Sequence, residues 1–316
     1  EQIAAFRPAN AGAPEPIRVF AGLESAPTPQ QRARLVVEEL RRTKAFEREA
    51  VVVITTTGNG FIDPVASDAL EYVLGGDVAS AGMQYSVLPS WLSFLVDKGG
   101  SQEAGVVLLR EVRAAIDALP ETARPRLYVY GESLGAFGSL AAFDGLSPEQ
   151  AAQQVDGGLW VGPPSTSATW GQWTATATGG PAWAPTTAPL GPLRFAADTA
   201  GIEAPWPYGL GPAGYRPTHL LVVQHATDPV VWFDPTLAFA RPAWLDDPRG
   251  PGVPSQARWW PVLFVEQVAM DLAPAGSAPR GAGHDYGEEV PAAWVSVLAP
   301  EDWTAADTER LTQAVG

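Results

Sequence analysis

One serine in the 316-residue chain stands in a setting that could make it a nucleophile. The stretch at 127–138 reads LYVYGESLGAFG, so a short run of strand-forming residues leads into GESLG and then into small residues that can continue as a helix. A strand, a sharp turn and a helix are the context in which a G-x-S-x-G pattern exposes its serine, here Ser133. Because the bare pattern arises by chance about 0.2 times in a chain of this length, the flanking segments carry the inference. The alternative is a glycine-rich turn with an idle serine.

Three histidines are present, and one of them follows the serine at a position suited to a base. A serine hydroxyl is a weak nucleophile near neutral pH, so it needs an imidazole within reach, and the imidazole needs a carboxylate that fixes its tautomer. Behind a G-x-S-x-G turn the order along the chain is serine, acid, histidine. His284, in the glycine-hinged loop GAGHDYG at 281–287, satisfies this order, whereas His219 starts a predicted strand over 218–224 and His225 follows its end.

The predicted acid is Asp228, which comes four residues after that strand in a turn closed by Pro229. A carboxylate before proline is also a common turn residue, which is the alternative reading. Asp234 is the second candidate for the acid. The proline-rich segment at 234–254 accounts for the long gap between Asp228 and His284.

An oxyanion formed at the serine needs two N–H donors. The first predicted donor is Leu134, at the start of the helix after the serine. The second is expected in the loop after the strand two before the serine strand, which is TTTGNG at 55–60. Gly58 or Asn59 is favoured there, and Thr57 is the third choice. If the strand count is off by one, the loop at 22–25 takes this role.

Composition excludes several other classes of chemistry. The chain has no cysteine, so thiol nucleophiles, disulfides and thiolate metal sites are excluded, and three scattered histidines give no zinc-ligand spacing. No cofactor or metal is predicted. A net charge of −15 argues against nucleic acid and anionic membranes as partners. No apolar run approaches the roughly 18 residues of a membrane span, and a chain that starts at Glu1 is expected to be processed or excised.

The rest of the chain alternates between strand and helix patterns. Strands are predicted at 17–20, 51–54, 78–85, 127–130, 155–161 and 218–224, and helices at 30–44, 63–74, 90–96, 101–119 and 258–272, with one or two closing helices over 291–315. Glycines 99 and 100 are expected to separate two helices, the second capped by Ser101. This alternation predicts an α/β fold, a mostly parallel sheet with helices on both faces, and puts the serine at the carboxyl end of a strand.

Two segments depart from the alternation. Residues 1–16 are rich in alanine and proline and are predicted to be an extended tail or linker ahead of a single domain at 17–316. Residues 163–217 are rich in proline, glycine and threonine and carry four tryptophans. This long insertion is either a lid over an apolar pocket or an excursion whose tryptophans form local core.

Taken together, these stretches resemble the α/β-hydrolase superfamily, and more narrowly the actinobacterial membrane-linked α/β-hydrolase family. The resemblance rests on IRVFAGLESAPT (17–28), TTTGNGFIDP (55–64), MQYSVLPSWLSFLVD (83–97), YGESLGAFG (130–138), VGPP (161–164), QHATDPVVWF (224–233), RWWPV (258–262) and GHDYG (283–287). It implies an α/β-hydrolase fold, a triad of Ser133, Asp228 and His284, and a membrane region upstream of this chain. It therefore implies a location at the cell membrane, with the extracytoplasmic side as the expectation.

The function expected from these residues is that of a serine esterase that forms an acyl-enzyme with a small-molecule or lipid ester. The tryptophans favour an apolar acyl or aryl substrate. Two alternatives stay open. An acyltransferase would use the same triad with a cell-envelope acceptor, and a non-catalytic binding domain would keep the fold alone.

Overall fold

The structure is a computed structural model that describes residues 2–89, 92–94, 98–188, 190–206 and 218–316. Its centre is a seven-stranded sheet in which all pairings are parallel. The strands are β1 (Ile17–Ala21), β2 (Ala50–Thr55), β3 (Val78–Met83), β4 (Arg126–Glu132), β5 (Gly157–Val161), β6 (Leu193–Ala196) and β7 (His219–Val223). Their order in the sheet is β1-β3-β2-β4-β5-β7-β6. The strand that leads into Ser133 is therefore the middle one.

Twelve α-helices connect and cover these strands in the part of the chain that is described. They are α1 (Gln2–Phe6), α2 (Pro29–Arg42), α3 (Pro64–Val73), α4 (Lys98–Asp117), α5 (Leu134–Leu140), α6 (Pro148–Ala151), α7 (Ala168–Thr174), α8 (Thr199–Glu203), α9 (Pro229–Trp232), α10 (Leu263–Leu272), α11 (Glu289–Leu298) and α12 (Ala305–Val315). None of the helices described here is long and apolar enough to cross a bilayer.

Both faces of the sheet are buried, as expected for parallel strands. Alternate residues of β2 enter two separate cores. Val51 and Val53 pack with α2, α4 and α5, and Val52 and Ile54 pack with α3 and α11. Continuous β-branched runs such as AVVVIT form strands because neither face needs polar side chains. The α/β fold predicted from the alternation is confirmed.

Helix starts follow from local side-chain chemistry. The Thr28 hydroxyl accepts the N–H of Gln31 at the start of α2, and the Asp63 carboxylate accepts that of Val65 at the start of α3, each with proline at the first helical position. The predicted start of α4 at Ser101 is wrong, because the helix already begins at Lys98. Ser101 is buried and donates to the Leu134 carbonyl at 2.7 Å, which ties α4 to the helix after the serine.

Two further predictions need correction. Residues 2–6 form helix α1 instead of an extended tail, since Ile3 and Phe6 pack against the core. The helix predicted over 258–272 begins only at Leu263, because Val262 has φ +65° and Pro261 precedes it. The short helix predicted over 90–96 lies mostly outside the described residues.

The described part of 163–217 contributes to the main sheet. Residues Leu193–Ala196 form the edge strand β6 beside β7, which the sequence pattern did not indicate. Trp173 is fully buried against Phe143 and Trp160. Trp206 stacks on His219 at a centroid distance of 4.2 Å. These contacts agree with the local-core alternative for these tryptophans.

Candidate active site

The turn after β4 holds Ser133 in a strained backbone conformation. Ser133 has φ +56° and ψ −125°, a region that L residues rarely adopt and that costs about 1–3 kcal/mol. The flanking glycines make the turn feasible. A Cβ on Gly131 would lie 2.5 Å from the Gly135 carbonyl oxygen, and one on Gly135 would overlap the Thr55 carbonyl. Ser133 therefore lies at the carboxyl end of the central strand and at the amino end of α5, with 8% of its surface exposed.

The acid and histidine loops meet at the same end of the sheet. His284 Nδ1 lies 2.7 Å from Asp228 Oδ2, and the Asp228 side chain is fully buried. The second carboxylate oxygen, Oδ1, accepts the N–H of Val230 at 2.8 Å at the start of α9. The hydroxyl of Tyr286 donates to Asp228 Oδ2 at 2.6 Å. Three donors thus hold the Asp228 carboxylate in place, and its Oδ2 atom faces the imidazole of His284.

The end of β5 connects this pair to the serine. The N–H of Ser133 donates to the Val161 carbonyl at 2.8 Å. The next residue, Gly162, has φ +54° and lies directly under the imidazole, since a Cβ there would be 2.7 Å from His284 Cε1. Since Ser133 bonds to Val161 and His284 packs against the next residue, Gly162, Ser133 and His284 lie next to each other. Among the described residues, the Ser133 hydroxyl has no hydrogen-bond partner, and such contacts are often long before substrate binds.

Three of the backbone N–H groups predicted as oxyanion donors have no hydrogen-bond acceptor among the described residues. Leu134 is the first residue of α5, where the N–H has no intrahelical acceptor. The N–H of Thr57 is used by the Phe61 carbonyl at 3.1 Å, which removes Thr57 as an oxyanion donor. Gly58 and Asn59 lie in the same tight turn and keep their N–H groups available. The turn follows β2, which neighbours β4, as the strand count predicts.

The comparison with protein families agrees with this architecture. The sequence profile of an alpha/beta-hydrolase family matches residues 17–311, nearly the whole chain. The chain belongs to the alpha/beta-hydrolase family. A structural comparison gives Trichoderma reesei cutinase in complex with a C11Y4 phosphonate inhibitor at 14% identity and a TM-score of 0.30, covering 78% of this chain and 87% of the cutinase. A comparison with curated proteins gives no significant match.

Other candidates from the sequence lie elsewhere in this alpha/beta-hydrolase. Asp234 caps a short 3-10 helix through the N–H of Thr236 and does not contact His284. His219 begins β7, at the opposite end of the strand from the acid loop, where burial lowers its pKa to about 4. The loop at 22–25 follows β1, at the far edge of the sheet.

Charges around the imidazole determine its affinity for protons. Burial acts to lower the pKa of His284, but the Asp228 carboxylate outweighs burial, and Glu132 and Asp285 add to the effect, so that the pKa is raised above its ordinary value. Glu132, directly before the serine, has a pKa raised to about 7 by burial and by the Asp63 carboxylate. The negative charges around His284 therefore stabilise the protonated form of its imidazole.

Some residues of the site could not be found by sequence reasoning. Tyr286 lies in the GHDYG motif, but nothing in the motif indicates that its hydroxyl reaches Asp228. Gly162 lies in VGPP, where the pattern indicates only a strand end. Thr227 accepts the N–H of Gly283 at 2.9 Å and so joins the two loops. Each role depends on contacts between segments far apart in sequence.

Replacing Gly162 by alanine tests the contact between β5 and the imidazole. The new methyl group would press on the His284 ring and would also occupy a left-handed backbone conformation, which costs about 1–2 kcal/mol. Since a displacement of 1 Å can cost about 100-fold in rate, we expect kcat/KM for hydrolysis to fall by at least about that factor. Gly171→Ala, where the added Cβ meets nothing within 4 Å, is the matched control and should stay within about twofold of the wild type.

Proposed function

We propose that this alpha/beta-hydrolase is a serine esterase that cleaves carboxylic esters through an acyl-enzyme. The observation that carries the proposal is the 2.7 Å contact between His284 Nδ1 and the buried Asp228 carboxylate. The strained turn at Ser133 lies next to this pair, because Ser133 bonds to Val161 and His284 packs against Gly162. An acid–imidazole pair beside a serine hydroxyl is the arrangement needed to activate that hydroxyl.

In the proposed mechanism, Ser133 Oγ attacks the ester carbonyl carbon. Its proton passes to His284 Nε2, while Asp228 holds Nδ1–H and stabilises the imidazolium. The N–H groups of Leu134 and of Gly58 or Asn59 receive the developing oxyanion. The imidazolium then protonates the leaving alcohol, and a water molecule, activated by the neutral imidazole, releases the acid from Ser133.

We propose an apolar acyl or aryl ester as the substrate class. A cleft of about 440 Å³ lies beside α9, the helix that Asp228 caps, and its lining includes Trp170, Trp232 and Trp244. A cleft of this volume suits a small organic group. Trp170 and Trp232 lie edge to face at a centroid distance of 6.3 Å, which gives the cleft a rigid aromatic wall.

The proposal is tested with 4-nitrophenyl esters of increasing acyl length, measured by stopped flow. An acyl-enzyme predicts a burst of nitrophenol equal to the enzyme concentration when deacylation limits the rate. Added alcohols or sugars separate hydrolysis from acyl transfer, because a transferase would convert the acyl group to a new ester. If no ester of the series is turned over by folded protein, the proposal fails and the binding-domain alternative replaces it.

The pH dependence follows from the raised pKa of His284. The imidazole must be neutral to accept the serine proton, so kcat/KM falls as the pH drops through the pKa of His284. Because Asp228 raises that pKa, the acid limb should lie above the ordinary histidine value of about 6.5. In Asp285→Asn, which removes one of the neighbouring negative charges, the limb should move to lower pH. An acid limb well below pH 6 in the wild type would contradict the assignment of His284.

A further inference from the structure

A second acid–imidazole pair lies directly behind the proposed triad. His225 and Glu289 are 3% and 5% exposed, and His225 Nε2 lies 3.3 Å from Glu289 Oε1. The other ring nitrogen, Nδ1, lies 3.0 Å from the Gly283 carbonyl oxygen. The ring stacks on Tyr286 with a centroid distance of 4.1 Å and an angle of 15° between the planes.

The partners of this imidazole indicate that it carries a proton shared with the carboxylate. A carbonyl oxygen and a carboxylate oxygen both accept hydrogen bonds, so both contacts are satisfied together only when the pair holds an extra proton, as an imidazolium beside a carboxylate or as the neutral acid–base pair. Among the described residues, Glu289 Oε2 has no hydrogen-bond partner. A buried carboxylate with so few donors is stable only next to a positive charge or in protonated form.

The pair contacts both loops of the site. The Gly283 carbonyl that faces His225 belongs to the residue directly before His284, and the N–H of the same glycine donates to Thr227 at 2.9 Å. The backbone N–H of His225 donates to the Tyr286 hydroxyl at 3.0 Å, and that hydroxyl donates to Asp228. His225 therefore holds the histidine loop on one side and Tyr286 on the other.

We propose that His225 and Glu289 form a positioning pair that fixes the His284 loop on the Asp228 loop, and that loss of their shared proton releases this contact at alkaline pH. The inference rests on the proposed function, because the loop matters to catalysis only if His284 is the base. No chemical step passes through the pair itself. When the shared proton leaves, the lone pair of Nε2 faces the Glu289 carboxylate, and the two groups repel each other.

The charges facing His225 set where this happens. Burial acts to lower its pKa, but the bond to Glu289 and the Gly283 carbonyl outweigh burial, and Asp228 adds to the effect, so the pKa is raised. Tyr286, the other titratable group in contact, stays neutral because burial and Asp228 raise its pKa well above 10. With a raised pKa, the pair is intact below the ordinary value of about 6.5 and is lost as the pH rises through the raised value.

The kinetic test compares pH profiles of ester hydrolysis for the wild type, His225→Ala and Glu289→Gln. We expect His225→Ala to lower kcat about 10- to 100-fold with KM within about twofold, because His284 loses its support while the substrate contacts stay. In Glu289→Gln the amide can donate to neutral His225, so kcat near neutral pH should stay within about threefold while the alkaline fall disappears. His219→Gln is the control, since His219 is also 3% exposed but begins β7 at the far end of the sheet.

The protonation state is tested directly by ¹⁵N NMR of the imidazoles, which is tractable because the chain has three histidines. The His225 imidazole is identified as the signal that is absent in His225→Ala. Near pH 7 in the wild type, this ring should carry a proton on both nitrogens or share one proton with a carboxylate. In Glu289→Gln the same ring should be neutral. A wild type that turns over esters with the same profile as Glu289→Gln, or a His225 ring with an unshared Nε2 lone pair, would overturn the positioning pair alone. A wild type without turnover contradicts the proposed function and the positioning role together.

Discussion

Replacing Ser133 by alanine is expected to lower kcat for ester hydrolysis by roughly 10⁴-fold or more. The substitution removes the proposed nucleophile and leaves the oxyanion donors and the binding surface in place, which supply only the residual rate. The loss should appear in kcat with KM little changed. Steady-state kinetics with a 4-nitrophenyl ester measures it, with circular dichroism to show that the variant is folded.

A second substitution at the same position separates chemistry from folding. Ser133→Gly also removes the hydroxyl, and glycine adopts φ +56° without the penalty that serine pays there. We expect this variant to be as inactive as Ser133→Ala but to have a free energy of unfolding about 1 kcal/mol higher than that of the alanine variant. If either variant kept more than about a hundredth of the wild-type kcat, Ser133 would not be the nucleophile.

Replacing Asp228 by asparagine is expected to lower kcat by roughly 10⁴-fold. The amide keeps the size of the side chain and can still accept the N–H of Val230 through its oxygen, so α9 keeps its cap. Its NH₂ group would then face His284 Nδ1 and favour the tautomer that places the proton on Nε2, where the lone pair is needed. The Tyr286 hydroxyl would lose its acceptor as well.

The matched control for this substitution is Asp234→Asn, which alters the neighbouring turn carboxylate. Asp234 caps a 3-10 helix through Thr236 and also lines the proposed substrate cleft, so the comparison is made on kcat. Asparagine is an equally good cap, and kcat should stay within about twofold. If Asp234→Asn lost as much activity as Asp228→Asn, the assignment of the acid would be wrong. The comparison therefore decides between the two candidates that the sequence left open.

The sequence predicted the elements that position the site because their signals are local. The serine turn follows from GESLG between a strand and a helix, and the placement of Asp228 and His284 follows from strand ends and chain order. The alternation of buried strands and helices was sufficient to predict a parallel sheet. Each of these inferences depends on a few adjacent residues or on the order of segments.

The features that the sequence did not predict depend on contacts between distant segments. Glycines 99 and 100 lie in the first turn of α4, which is held by its packing on α5, where Ser101 donates to Leu134. Residues 193–196 look like part of a loop, yet they form an edge strand because β7 offers a free edge. Likewise, Tyr286 and the His225–Glu289 pair acquire their roles only when residues 58 and 64 positions apart meet. Gly162 acquires its role only when the end of β5 meets the histidine loop.

The measurement that tests the central claim most directly is the reaction of the folded protein with a fluorophosphonate, followed by peptide mass spectrometry of the adduct. We expect stoichiometric labelling of Ser133, no labelling in Ser133→Ala, and a strong loss of labelling rate in His284→Ala, because the phosphonate reports on a serine activated by a neighbouring base. Labelling of another residue would contradict the assignment of Ser133 as the nucleophile. So would the absence of any labelling of folded wild-type protein after long incubation.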